Sequence, residues 1–367
     1  MKFSRIGATL AVTAVAALTL SACAGNEAPK TGTTDSAAPA ATQLEGSLAA
    51  SGASSQGTAQ TAWIAGFGSV QPKVKVNYAG GGSGAGRTDF QNGTTQFAGS
   101  DRAFKVDEIA AGGFASCAEG SDLVEIPAYI SPIAVAFNLE GVKELKLDAK
   151  TIAGIFAGTI TKWNAPEIAA TNAGVALPDL AITPVHRADK SGTTGNFTDY
   201  LKAAAPDVWT YGSVEEWPIE GGEAAQETPG VQNALKANGT IGYIDASATA
   251  GLSTAEVKVG DAFVPLSPEA ASAVVDASKI EDGRAATDLA YKLARDTSAS
   301  GAYPIVLVSY LIGCHQYKDA AAAELVKAYF SYVVSEEGQK AAAEAAHSAP
   351  ISADLRTKAQ AAIDAIK

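Results

Sequence analysis

The sequence predicts an α/β protein. Three observations carry that reading. Short apolar runs of strand length alternate with helical patterns along the chain. Three times a strand runs into a turn of serine or threonine among glycines, and that turn opens a helix. Finally, 47% of the 367 residues are hydrophobic, enough for a sizeable core spread over two lobes of ordinary domain size.

At the N-terminus, Lys2 and Arg5 form a basic n-region and Ile6 to Leu20 an apolar h-region. That order predicts a secretory signal over residues 1–22, too short to span a bilayer as a mature helix. Leu20-Ser21-Ala22-Cys23 resembles a bacterial lipobox, which implies cleavage before Cys23 and lipidation (palmitate) of its thiol. Residues 23–43 are rich in Ala, Thr, Pro and Gly without apolar periodicity and read as a lipid-anchored disordered tether. Two cysteines then remain, Cys117 and Cys314. In an exported protein such a pair is expected to form a disulfide, worth roughly 5 kcal/mol by loop entropy for so long a loop.

Order is expected from Leu44. Leu44 to Leu48 reads as a first strand, and Ala59, Ala62, Trp63, Ala65 and Gly66 as a helix with Trp63 buried. Val74 to Tyr78 alternates like a strand and enters a glycine-rich loop, Gly80 to Arg87, and a short helix through Phe90. Gln96 to Gly99, Leu123 to Ile126 and Ile130 to Asn138 read as strands, and Thr151 to Phe156 as a helix. Leu180 to Val185 is a buried strand with Phe197, Tyr200 and Leu201 at helical spacing behind it. Gln232 to Leu235, Ala270 to Val275 and Leu289 to Leu293 read as helical, Ile241 to Ile244 and Ile305 to Ile312 as strands. Asp319 is the expected N-cap of a C-terminal helix whose Leu325, Tyr329, Tyr332 and Val333 form one buried stripe.

The stretch with the most chemistry is Pro184 to Gly195. An arginine, an aspartate and Ser191-Gly192-Thr193 stand where a strand hands over to a helix. The first turn of a helix leaves N–H groups unpaired and carries partial positive charge, so the place suits an oxyanion. Taken alone, it reads sooner as a capped helix with a surface ion pair. Gly52-Ala53-Ser54-Ser55 and Gly81-Gly82-Ser83-Gly84 repeat the design, and Arg187 and Asp101 stand at strand ends. Together they suggest several helix N-termini converging on one small anion beyond the carboxyl ends of the strands. The formal charge of -12 argues against nucleic acid and means that local dipoles, not net charge, must hold an anion.

Rival motifs are weaker. Gly81 to Thr88 reads G-x-x-x-x-G-R-T, lacking the lysine of a Walker A loop. Ser191 has His186 nearby in sequence, but no G-x-S-x-G elbow or oriented triad is discernible. With only His186, His315 and His347 and no Cys/His cluster, a transition-metal site is not expected, nor is any cofactor.

Leader, lipobox and tether lead into Gly52-Ala53-Ser54-Ser55, Val76-Asn77-Tyr78 with the glycine-rich loop, and Phe97-Ala98-Gly99-Ser100-Asp101. They continue in Ile160 to Asn164, Arg187-Ala188-Asp189-Lys190-Ser191-Gly192-Thr193-Thr194, Trp217-Pro218-Ile219 and Gly239 to Tyr243. This pattern resembles the phosphate-binding lipoproteins of bacterial phosphate-specific ABC transporters, over essentially the whole chain from Leu44. The resemblance implies a two-lobed periplasmic-binding-protein fold of type II with the ligand in the interlobe cleft. Lobe one would be 44–131 plus 304–367 and lobe two 132–303.

It further implies a phosphate site of Ser54, Ser55, Ser83, Asp101, Arg187, Ser191, Gly192 and Thr193, with Asp189 orienting Arg187. Ser55 stands where the family commonly has an aromatic that contacts the ligand through its N–H. The implied protein is a monomeric, non-enzymatic, extracytoplasmic receptor, anchored to the cell membrane by lipid, that hands inorganic phosphate to permease subunits. Alternatives on the same fold are a phosphate-releasing hydrolase using Ser191 or Ser83 and a ligand-free adhesin or sensor.

Overall fold

The computed structural model describes residues 43–367. The expected leader 1–22, the lipidation site Cys23 and all but the last residue of the tether 23–43 lie outside the described residues.

Eight strands form the spine of the protein. They are β1 (Gly46–Gly52), β2 (Val74–Gly81), β3 (Phe97–Ser100), β4 (Leu123–Asn138), β5 (Thr183–Arg187), β6 (Glu223–Ala225), β7 (Thr240–Asp245) and β8 (Val306–Cys314). They lie in the order β2-β1-β3-β8-β4-β7-β5-β6, with Ser253–Thr254 added beside β4. β1 is parallel to β2 and β3, and β5 is parallel to β6 and β7, so each end of the path has a parallel set. β4 and β8 run antiparallel through the middle.

β4 connects the two ends. Its residues Leu123 to Pro132 pair with β8, and Ile133 to Asn138 pair with β7. The sequence suggested two strands here, Leu123 to Ile126 and Ile130 to Asn138. The structure keeps one strand by shifting register opposite Ser309 and Tyr310, which face Tyr129 and Pro127. The extra residue is Ala128 on β4, left without a partner between Pro127 and Tyr129.

Helices cover the sheet. α1 (Gly57–Val70) buries Ala59, Gln60, Trp63 and Phe67, one face of a 3.6-residue period. Trp63 Nε1 donates to Gly338 O at 2.8 Å. α2 (Ser83–Gln91), α3 (Gly192–Ala204) and α4 (Glu227–Ala234) each follow a parallel strand. α5 (Ala320–Val334) is capped by Asp319, whose carboxylate accepts from Ala321 N, and buries the expected Leu325, Tyr329, Tyr332 and Val333.

Leu289 to Leu293 is not a helix. Tyr291–Lys292 pairs antiparallel with Lys279–Ile280, and Leu289 N donates to Glu125 O on β4 at 3.0 Å. A short apolar run does not distinguish helix from strand by periodicity, and here backbone bonds to a distant strand decide. Cys117 and Cys314 form the expected disulfide, with their Cα atoms 5.3 Å apart, tying a loop to the end of β8. No helix of the described residues is long and apolar enough to cross a membrane.

Candidate functional site

Four strands deliver their carboxyl ends to one place. Gly52 ends β1, Gly81 ends β2, Ser100 ends β3 and Arg187 ends β5. Residues Ser54–Gln56 form one tight helical turn after β1, while α2 and α3 start at Ser83 and Gly192. The crevice beyond the strand ends of an open α/β sheet is where such folds bind ligands.

Asp101 is the hub. The Ser55 hydroxyl donates to its Oδ1 at 2.6 Å, and the Ser309 hydroxyl reaches the same oxygen at 2.7 Å. Thr193 Oγ1 donates to Oδ2 at 2.8 Å. Asp101 N donates to Ser83 Oγ at 3.0 Å, and Asn196 Nδ2 donates to Asp101 O at 2.6 Å. The carboxylate is 3% exposed. A carboxylate offers about four acceptor positions. Three are filled by hydroxyls, so one remains, on Oδ2.

Arg187 ends β5, ahead of the Ser191 loop. Arg187 Nε donates to Asp189 Oδ1 at 2.7 Å, and Nη2 donates to Oδ2. This edge-on pairing fixes the guanidinium plane and leaves its Nη1 corner for another acceptor. Asp189 Oδ1 also accepts from Glu227 N at 2.9 Å, where the Glu227 backbone is held at φ 56. Behind them the Tyr243 hydroxyl accepts from Arg187 N at 3.1 Å and shares a 2.7 Å hydrogen bond with Thr194 Oγ1. Tyr243 therefore pins the end of β5 to the start of α3. Burial pushes its phenol up to about 12, against hydrogen bonds from Arg187 N and Thr194, so it stays neutral.

The hydroxyls do not all act as the turn pattern suggests. Only Ser191 caps its helix, accepting from Thr194 N at 3.2 Å. Ser54 instead accepts from Thr228 N and pairs with Thr228 Oγ1, both at 3.0 Å. Gly82 enters α2 at φ 91, open to glycine alone, and brings the loop against Asp189 and Lys190. Gly84 N donates to Lys190 O at 3.0 Å. A Cβ on Gly192 would lie 2.6 Å from Ser83 Oγ and 2.7 Å from Asp101 Cβ. The Ser83 and Ser191 loops are thus packed face to face.

Of the residues expected from sequence, Ser55, Ser83, Gly192 and Thr193 gather on Asp101, Ser191 caps the adjoining helix, Arg187 pairs with Asp189, and Ser54 turns to Thr228. Sequence reasoning missed Ser309, Thr228, Tyr243 and Asn196, which complete the ring from distant segments.

Two rival motifs are accounted for. His186 does not face Ser191. Its ring nitrogens lie 3.1 Å from Arg187 O and Gly221 O, and the ring stacks on Trp217 at 5.0 Å. Arg87 of the Walker-like loop lies in α2 and donates to Ser100 Oγ at 2.7 Å and to Glu215.

A model of the PBP superfamily domain matches residues 33–337. The phosphate-binding protein PstS 3 of Mycobacterium tuberculosis is 34% identical over 377 residues, covering 100% of both chains. The chain belongs to the PstS family of phosphate-binding proteins. Within that family, PstS of Xylella fastidiosa is 30% identical over 77% of this chain and 75% of its own. Among solved structures, a high-affinity periplasmic phosphate-binding protein (PfluDING) bound with phosphate superposes with a TM-score of 0.68. It has 21% identity and covers 87% of this chain and 93% of its own. A Clostridium perfringens chain assigned as a phosphate ABC transporter substrate-binding protein, solved with phosphate, gives 0.60 at 21% identity, covering 84% and 100%. These structural likenesses establish the fold, that of the two-lobed periplasmic phosphate-binding proteins.

Proposed function

We propose that this PstS-family chain is the extracytoplasmic receptor of a phosphate importer, binding inorganic phosphate between Asp101 and Arg187 and delivering it to an ABC permease. The observation that carries the reading is the one open acceptor position on Asp101 Oδ2, at the place where the Ser83 and Ser191 loops meet across Gly192. Hydrogen phosphate has an O–H to give to that carboxylate. Sulfate at neutral pH has none and would meet an unpaired like charge. N–H groups, hydroxyls and one guanidinium supply the remaining donors, so the site needs no excess positive charge.

The lobes proposed for this function are 44–131 plus 304–367 and 132–303, crossing where β4 changes partner from β8 to β7. Residues 284–289 would travel with lobe one, since Arg284 bonds Glu125 and Thr287 Oγ1 donates to Leu123 O. Cys23 would carry the lipid that holds the receptor at the membrane as a monomer. The names borne by relatives in this family, and by the phosphate-bound structural neighbours, support phosphate as the ligand.

Calorimetry of the domain from Leu44 with phosphate and sulfate tests the reading. Wild type should bind phosphate and reject sulfate. An unpaired buried acceptor costs about 3 kcal/mol, roughly a hundredfold in affinity, so Asp101→Asn should shrink the preference by about that factor. An unchanged ratio in Asp101→Asn sinks the role given to Asp101, and no phosphate binding by wild type sinks the receptor.

A further inference from the structure

Away from the anion site, a second contact joins the two proposed lobes. Glu215, on the segment between α3 and β6, accepts from Arg87 Nη2 with both carboxylate oxygens, at 2.8 and 2.7 Å. Its Oε2 also accepts from Arg102 Nε at 2.9 Å. Arg87 and Arg102 belong to lobe one. The group is nearly closed to water, with side-chain exposures of 5% for Arg87, 11% for Glu215 and 21% for Arg102.

The charge count gives this contact a direction. Lobe one by itself holds two guanidinium groups against one carboxylate, Glu108, which is bidentate with Arg102 at 2.7 and 2.8 Å. Glu215 supplies the missing negative charge, and only when the lobes meet. Burial alone would raise its carboxyl, and the two guanidinium groups more than reverse that, leaving it below the ordinary value.

Both ends of the contact touch the anion loops. The Glu215 carbonyl accepts from Ser191 N at 3.0 Å, at the loop that starts α3. Arg87 Nη1 donates to Ser100 Oγ at 2.7 Å, next to Asp101. Pulling Glu215 away therefore disturbs the loops on both sides of the ligand, which themselves need no charge from it.

We infer that Glu215 is an interlobe latch, a positioning residue that holds the closed form through Arg87 and Arg102 and sets how long the ligand stays. The latch rests on the phosphate-receptor reading for its ligand, while its geometry is independent of it. Truncating one partner of a buried, hydrogen-bonded charge pair acts mainly on dissociation.

The test compares wild type with Glu215→Gln by stopped-flow phosphate dissociation, thermal unfolding and small-angle scattering of the unliganded domain. The expected result is dissociation faster by tenfold or more, association within about threefold, and a larger radius of gyration. Should Glu215→Gln fail to fold, Arg102→Gln removes one contact and should shift the same rates in the same direction by a smaller factor. A fall in unfolding temperature with dissociation and scattering unchanged overturns the latch and leaves a structural ion pair. If wild type binds no phosphate, the receptor reading fails separately, and scattering alone decides. Equal radii for wild type and Glu215→Gln then overturn the latch.

Discussion

Replacing Gly192 by alanine adds one methyl group at the point where the Ser83 and Ser191 loops touch. The new carbon would sit 2.6 Å from Ser83 Oγ, 2.7 Å from Asp101 Cβ and 3.0 Å from Ser83 Cβ. Carbon atoms prefer about 3.5–4.0 Å, so the two loops must part by about 1 Å. Neither neighbour can swing away, because both are short side chains held by hydrogen bonds. The two bonds that cross to Asp101, from Thr193 Oγ1 at 2.8 Å and Asn196 Nδ2 at 2.6 Å, would then be stretched past useful length.

Losing a hydrogen bond to a charged group costs about 1.5–3 kcal/mol and a neutral one about 1. Closure in Gly192→Ala should therefore be disfavoured by about 3 kcal/mol, or roughly a hundredfold in phosphate affinity. The backbone N–H at this position is retained, so the change does not remove a ligand donor. With the loops apart, the methyl group is relieved of Ser83 and Asp101, and alanine in place of glycine at a compatible site stabilises by about 0.4–1 kcal/mol. Calorimetry and a melting curve without phosphate read the two effects separately. Affinity should fall while the unliganded unfolding temperature holds or rises slightly. A phosphate affinity within threefold of wild type would refute the claim that these loops meet in the ligand-holding form.

Two further predictions concern stability. Cys117 and Cys314 close a loop with a sequence separation of 197, for which the chain-entropy model gives about 5 kcal/mol; urea denaturation of the double serine variant should show a loss of at least about 2 kcal/mol, and a loss under 1 contradicts the entropic account. Asp245, buried at the end of β7 with Tyr129 and Ser247 donating to Oδ1, is pushed up by burial from 3.8 to about 6. The folded form thus holds that proton more tightly than the unfolded one, and stability falls as pH rises from about 4 to about 6, by up to roughly 3 kcal/mol. Urea denaturation at pH 4.5 and 7 should show that fall in wild type but a flatter response in Asp245→Asn; parallel responses would remove Asp245 as the cause.

The parts of the site legible in the sequence are those set by local chemistry. A strand, a glycine and a hydroxyl within four residues announce Ser83 and Ser191 without knowledge of anything else in the chain. The Arg187–Asp189 pair is two residues apart and reads the same way. What the sequence hides are partners brought in from afar. Ser309 lies 208 residues from Asp101, Thr228 lies 174 from Ser54, and Glu215 lies 128 from Arg87. Ser309 is buried in an apolar strand and looks like any tolerated serine until β8 is set beside β3 and its hydroxyl reaches Asp101. The same cause hid the fate of Leu289 to Leu293, whose local pattern allowed a helix until β4 supplied backbone partners. Glu215 stands beside Glu216 in a short connecting segment, where a carboxylate is ordinarily a solvated one.

On the proposed reading, recognition and closure share their contacts. Two of the hydroxyls that define the open position on Asp101, Ser55 and Ser309, come from the same proposed lobe as the aspartate, while Thr193 comes from the other. With the lobes apart, Asp101 Oδ2 loses Thr193 and gains water, and an anion meets a hydrated carboxylate that does not discriminate by proton count. On the proposed reading, a preference for a protonated oxyanion would therefore belong to the closed form alone. It follows that Gly192→Ala should lower the phosphate-to-sulfate ratio together with phosphate affinity, although it retains the backbone N–H at that position. If affinity falls while the ratio holds, Asp101 selects before closure, and the coupling argued from Thr193 is wrong.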